Sequence, residues 1–145
     1  MRALIQRVSH AEVDVAGELI AAIGRGLLAL IGVEADDGDA AVDRMLERLL
    51  TYRIFPDGDG RMNLSLTDIG GGLLLVPQFT LAADTRKGTR PGFSTAAPPE
   101  AARALFDALV RRASERHPAN AAGQFGADMQ VSLTNDGPVT FLLET

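Results

Sequence analysis

Leu73-Leu74-Leu75-Val76 is an unbroken apolar run that stops at Pro77. A strand with one wet face alternates polar and apolar residues, so an unbroken run marks a strand buried on both faces. Such a strand needs cover on each side, which rules out a sheet lying open to solvent. Residues 27–33, Leu27 to Val33, read as another central strand of the same kind. Beyond Val76 the character changes at once. Pro77 removes a backbone donor, Gln78 places an amide and Thr80 a hydroxyl, and residues 82–92 are polar, basic and rich in loop formers. A buried strand that ends in polar groups and opens into a basic loop mounts a site on a rigid support.

The rest of the chain supplies the cover. Residues 3–8 read as a strand, Val13 and Val15 alternate with acidic residues, and Ala16-Gly17-Glu18 predicts a hairpin into 19–23. Val42, Met45, Leu46, Leu49 and Leu50 recur at helical spacing. Residues 53–55 and 62–66 read as short strands. Pro98-Pro99-Glu100 opens a second helix, with a stripe through Ala101, Leu105, Leu109 and Ala113. Residues 118–124 read as loose chain, 125–133 as a strand, 134–138 as a turn and 139–143 as a closing strand. The predicted fold is α/β: a mixed, strongly curved sheet or barrel-like pair of sheets with two helices packed outside, in one domain spanning residues 1–145.

Composition narrows the chemistry. The chain has no cysteine, which removes disulfides, thiolate nucleophiles and Cys-ligated zinc together. Its two histidines, His10 and His117, are far apart, so no metal site is expected. Asp57-Gly58-Asp59-Gly60 lacks the ligand pattern and closing glutamate of a calcium loop and reads as a turn. No apolar run approaches the ~20 residues of a membrane helix, and no signal peptide is visible. A cytoplasmic protein without membrane or cofactor is the expectation. The net charge of −5 argues against non-specific nucleic-acid binding, so a nucleic-acid partner has to be met by a local basic patch.

Three places could carry chemistry. Thr80 reads two ways, as a weak nucleophile that needs an activator, or as a hydroxyl satisfying a backbone group at a strand end. Gln78 either orients a substrate or caps the strand edge, and Phe79 faces the core or a pocket wall. Gly137-Pro138 reads as part of a turn. It is also the kind of bond where cis costs only about 0.5–1 kcal/mol, and a cis form would aim two successive carbonyls the same way, a rigid acceptor pair for an ammonium group. Arg86, Lys87 and Arg90 suit a phosphate-bearing substrate, or form a solvated loop.

The chain resembles the D-aminoacyl-tRNA deacylases over nearly its full length. The likeness lies in Met1-Arg2-Ala3-Leu4-Ile5-Gln6-Arg7-Val8, Met62-Asn63-Leu64-Ser65-Leu66 and Gln78-Phe79-Thr80-Leu81. It continues in Ala83-Asp84-Thr85-Arg86-Lys87-Gly88, Phe125-Gly126-Ala127-Asp128-Met129-Gln130-Val131 and Asn135-Asp136-Gly137-Pro138-Val139-Thr140. The resemblance implies a homodimer acting on the aminoacylated 3′ end of tRNA. It implies a cis Gly137-Pro138 that enters the partner's pocket and holds the substrate's α-amino group, so that D-amino acids and glycine fit and L side chains clash. It further implies that Arg7 locks that loop. Gln78, Phe79 and Thr80 would line an adenosine pocket, and backbone amides around Phe79 and Thr80 would stabilise an oxyanion. Phe125 and Met129 would touch substrate, and Arg86, Lys87 and Arg90 would meet tRNA. The family reading makes the tRNA 2′-OH assist hydrolysis. The family usually has serine before Gln-Phe-Thr-Leu, where this chain has Pro77; the retained Phe79 favours strict D-specificity.

Two other readings compete. One is a hydrolase of another aminoacyl ester with Thr80 as nucleophile. The other is a non-enzymatic homo-oligomeric binding module.

Overall fold

The computed structural model describes residues 1–145. Its elements run β1 (Arg2–Val15), β2 (Glu18–Ile23), β3 (Gly26–Gly32), α1 (Asp39–Thr51), β4 (Phe55–Pro56), β5 (Met62–Leu64), α2 (Leu66–Ile69), β6 (Gly72–Pro77), α3 (Pro99–Arg116), β7 (Asn120–Ala122) and β8 (Met129–Glu144). A 3-10 turn, Phe79–Ala82, follows β6. No helix is long and apolar enough to cross a membrane.

The long strand β1 organises the main sheet. Residues 2–8 of β1 pair with β3, residues 11–15 pair with β2, and β8 pairs along nearly its whole length. Ala3 and Ile5 face one core, whereas Val8, Ala11 and Val13 face a second. The change of parity between Val8 and Ala11 coincides with the register shifts against β8. There the strand bends and carries its second half over the sheet, making a nearly closed, barrel-like surface.

β3, β6 and β7 are parallel, and their connections have to cross back over the sheet. Those crossovers contain α1 and α3. Both helices cover the outer face, where Leu27, Ala29, Ile31, Leu73 and Leu75 meet Val42, Met45, Leu46, Leu49, Phe106 and Leu109 in one core. Leu28, Leu74 and Val76 point the other way and meet Val8, Val13 and Ala21 inside the curved sheet. The apolar run is therefore buried on both faces, and the mixed curved α/β fold is as predicted.

Several details differ from the sequence reading. Residues 62–66 do not form one strand, because Ser65 and Asp68 close a capping box that starts α2, a third helix of one turn. On α3 the buried face runs through Ala102, Phe106, Leu109 and Ala113, while Ala101 is exposed. The stripe at 102, 106, 109 and 113 carries the larger side chain and takes the core. Residues 120–122 form a short strand in chain expected to be loose. Residues 125–128 precede the strand that was expected to start there, and β8 runs unbroken past the expected turn at 134–138.

Glycine matters most where β3 meets β6. A Cβ on Gly26 would lie 2.0 Å from the Gly72 carbonyl oxygen and 2.6 Å from its nitrogen. Gly26→Ala is expected to lower unfolding free energy by about 3 kcal/mol or more, because backbone has to move. Nothing lies within 4 Å of a Cβ on Gly24. Gly24→Ala should change stability by less than about 0.5 kcal/mol. Urea denaturation of both variants checks the contrast.

Candidate active site

The site is built where β6 leaves its ladder. The amides of Leu73 and Gly123 place odd-numbered β6 residues toward β7, bonding the Ala119 and Leu75 carbonyls at 2.9 and 2.8 Å. The Gln78 amide points the other way and donates to the Ile31 carbonyl at 2.7 Å. β7 pairs only with residues 73–75. Pro77 therefore stands at a position where no partner strand remains, and its missing N–H costs no ladder bond. Its ring packs toward Gly123, where an added Cβ would be 3.4 Å from Pro77 Cδ and 2.8 Å from Met129 Sδ. This explains how proline is tolerated next to the motif.

The chain then coils into the 3-10 turn and lies on Gly32, whose added Cβ would come within 2.9 Å of Leu81 Cβ. Leu81 donates to Gln78 and Ala83 to Thr80, each at 3.2 Å. The amides of Phe79 and Thr80 precede the turn's first bond and have no acceptor within it.

A cavity of about 440 Å³ opens beside this turn. Pro77, Gln78 and Phe79 form one wall, Ala102 of α3 another, and Phe125 and Met129 a third. Most of the lining is apolar, with the Gln78 amide as its main polar side chain. Phe125 is held against Phe106 at 6.3 Å between ring centroids, and the Arg103 guanidinium lies over the Phe125 ring at 4.9 Å from its centroid. The structure thus gathers Gln78, Phe79, Phe125 and Met129 around one space. Phe79 is a wall residue, not a core residue, and is 59% exposed.

Thr80 sits at the edge of this arrangement. Its hydroxyl accepts from Gln78 Nε2 at 2.6 Å, and no carboxylate or imidazole reaches it. His117 caps α3 and is engaged with the Gly71 carbonyl at 2.7 Å, while His10 neighbours the Ser9 hydroxyl at 3.4 Å. The turn therefore has no general base for its threonine.

Gly137-Pro138 lies elsewhere on the chain, and its peptide bond is cis. Val8 pairs with Asn135 and Gln6 with Thr140, so residues 136–139 stand opposite Arg7 alone and bulge from the sheet. Arg7 Nε donates to the Asp136 carbonyl at 2.9 Å, and Nη1 donates to the Ile54 carbonyl at 2.8 Å. Asn135 Oδ1 accepts from the Val139 amide at 2.8 Å. The exposed loop is thus fixed at both ends, and it does not line the cavity of its own chain. Asp136, Asn135 and Ile54 were missed by the sequence reading. Asn135 carries a signal, an amide side chain opening a turn. Ile54 carries none, since only its carbonyl is used.

The basic loop is less cationic than its sequence. Arg86 Nε and Nη2 grip both oxygens of Asp84 at 2.8 and 2.7 Å. That leaves Lys87 and Arg90, both exposed, without a carboxylate partner.

Comparison with known proteins gives this geometry a context. The sequence profile of the family described as D-Tyr-tRNA(Tyr) deacylase matches residues 4–144. The chain belongs to this family. It is 65% identical to a D-aminoacyl-tRNA deacylase of Azotobacter vinelandii, over 99% of each chain. It is 63% identical to one from Stutzerimonas stutzeri over the full length of both. Among solved structures, one of a c-Myc DNA unwinding element binding protein superposes with a TM-score of 0.96 at 38% identity, covering 100% of this chain and 99% of that one. A probable eukaryotic D-amino acid tRNA deacylase shares the fold at a TM-score of 0.80 and 20% identity, over 98% and 97% of the two chains.

The Arg86 side chain, and secondarily its backbone amide, hold the Asp84 carboxyl well below the usual carboxylate range. The pair therefore contributes at and above the ordinary carboxylate value of about 3.9, and is lost only as pH falls through the depressed folded value. A carbon-13 carboxyl titration should place the Asp84 midpoint clearly below about 3.9. Arg86→Met should raise it only part of the way, because the residue-86 amide still donates. An ordinary midpoint in the unaltered protein would contradict the bidentate geometry.

Proposed function

We propose that the chain, acting as one domain, hydrolyses the ester of D-aminoacyl-tRNA, and of glycine mischarged on tRNA-Ala, releasing free tRNA and the amino acid. The observation that carries this reading is the full-length identity of 65% to a protein named for that activity, in a chain whose Gln78-Phe79 turn walls an apolar cavity. The enzyme is a carboxylic ester hydrolase whose substrate is the aminoacylated 3′ end of tRNA.

In this reading the terminal adenosine enters the cavity against Phe125 and Met129, with Gln78 orienting it. The ester carbonyl then lies at the turn, where the free amides of Phe79 and Thr80 take the developing oxyanion. Water adds to the carbonyl carbon, and the bond to the ribose 3′-oxygen breaks. The neighbouring 2′-OH assists, and the leaving oxygen gains a proton. Thr80 serves as a pocket residue, since its hydroxyl is already engaged by Gln78 and lacks a base.

Chirality is selected by backbone. The carbonyls of Gly137 and Pro138, supplied by a second copy of the chain, hold the substrate's α-ammonium so that only a D side chain or hydrogen fits. Two observations support a homodimer as the working unit. The loop is exposed and fixed by Arg7, yet it lines no part of its own chain's cavity. Tyr52, Met62, Phe141 and Leu142 are also large apolar side chains left exposed. Lys87 and Arg90, with the partly neutralised Arg86, meet tRNA phosphates.

The direct test is release of D-Tyr from D-Tyr-tRNA with L-Tyr-tRNA left intact. Thr80→Val should keep kcat/KM within about tenfold, the scale of one lost hydrogen bond. A fall of several orders of magnitude with binding intact, or a trapped acyl-enzyme, would return Thr80 to the role of nucleophile. Gly137 has φ +147°, and an added Cβ would meet Val139 Cγ2 at 2.6 Å. Gly137→Ala should therefore displace the loop, cost about a hundredfold in kcat/KM and lower stability by about 1–3 kcal/mol.

A further inference from the structure

We infer that Phe93, paired with Phe79, forms a stacking platform for an unpaired nucleobase, the one preceding the nucleoside seated in the cavity. The inference rests on the reading that the cavity takes the 3′-terminal nucleoside of tRNA. Phe79 and Phe93 are 59% and 42% exposed, and their ring centroids are 5.2 Å apart at an interplanar angle of 39°. Large apolar rings left side by side in water are an unfavourable surface unless something covers them. Phe79 also borders the cavity, so whatever covers this pair adjoins the bound nucleoside.

The support beneath Phe93 is fixed. Gly92 and Asp84 exchange backbone bonds at 2.7 and 2.9 Å, and the Phe93 carbonyl accepts from Ala96 at 3.1 Å. The Thr95 hydroxyl further ties this segment to the Ala82 carbonyl, at the end of the turn that carries Phe79. The same loop carries Lys87 and Arg90, the cations without a carboxylate partner. Exposed aromatic faces beside unpaired cations suit single-stranded nucleic acid, which offers a flat base and a phosphate at each step. A protein segment would use the rings but leave these cations without a role, in a chain whose net charge is −5. No hydrogen bond from the Phe93 side chain can read base identity, so the platform should tolerate any base.

The test compares two D-tyrosyl esters, one of adenosine and one of cytidylyl-adenosine. The unaltered enzyme should prefer the dinucleotide ester by about tenfold in kcat/KM, the scale of one stacked base. Phe93→Leu should abolish that preference through KM and leave the adenosine ester unchanged, while Phe93→Tyr should retain it. The proposal is overturned if Phe93→Leu keeps the preference. It is also overturned if both esters fall together, or if the variant instead changes the sedimentation coefficient, which would assign the rings to a protein contact. Hydrolysis of neither ester by the unaltered protein would defeat the functional reading alone. The platform is then read from fluorescence anisotropy of a labelled CCA trinucleotide: weaker binding by Phe93→Leu supports it, and equal binding overturns it.

Discussion

Leu73 and Leu75 enter one core while Leu74 and Val76 enter another, and the rest of the fold keeps both covered. Each such side chain contributes about 1.5–3 kcal/mol when removed from water, so neither face can be left open. Parallel pairing with β3 and β7 provides the outer cover, since each parallel step needs a crossover long enough to hold a helix. The inner cover comes from β1, which changes the face it presents between Val8 and Ala11 and folds its own continuation over the sheet. The helices and the barrel-like curvature thus answer the same constraint from opposite sides.

The same ladder explains where a site can form. β7 pairs as far as Leu75, and β6 continues two residues further before it coils. At that end the backbone runs out of strand partners while still anchored in two cores. Free amides, a half-exposed aromatic ring and a polar side chain are therefore held at the carboxyl end of parallel strands, the usual location of sites in such sheets. Pro77 belongs to this logic. One residue earlier or later, its missing donor would remove a bond to β3; at its actual position it removes none.

The parts of this that were legible in sequence are those set by local pattern. Two-sided burial of residues 73–76 followed from the unbroken apolar run, and the two long helices followed from periodicity and from Pro98-Pro99-Glu100. The parts that were not legible depend on tertiary partners. Asn120-Ala121-Ala122 has no strand propensity and becomes β7 because β6 offers an edge. The run from Asn135 to Pro138 carries turn chemistry and does bulge, yet pairing with β1 resumes on both sides, so one long strand results. Arg7 reaches the Ile54 carbonyl, a contact that no side-chain pattern encodes. Arg86 looked like a free cation, although Asp84, two residues before it, was in plain view and neutralises it. Phe125 and Met129 entered the site by resemblance only; their convergence with Gln78 depends on how β8 starts after the 125–128 turn.

The net charge of −5 weighed against a polyanionic partner, and its distribution changes that weight. Arg112 binds Asp39 and Asp43, Arg116 binds Glu47, and Arg2 binds Glu34, so these arginines are committed to carboxylates away from the turn. Screening confines exposed charges to about 8 Å at physiological salt, so a phosphate near the site responds to Lys87 and Arg90 more than to the total. In the proposed reading these two loop cations release few counterions on meeting phosphates, so their own electrostatic share of tRNA affinity is small. In that reading much of the binding comes from desolvated contact, with the apolar cavity and the exposed rings beside it as the available surfaces. An enzyme that holds its substrate by the terminal nucleotides and little by the polyphosphate backbone does not need to distinguish one tRNA body from another. It needs only to read the chemistry at the acyl end, the one place where D and L substrates differ.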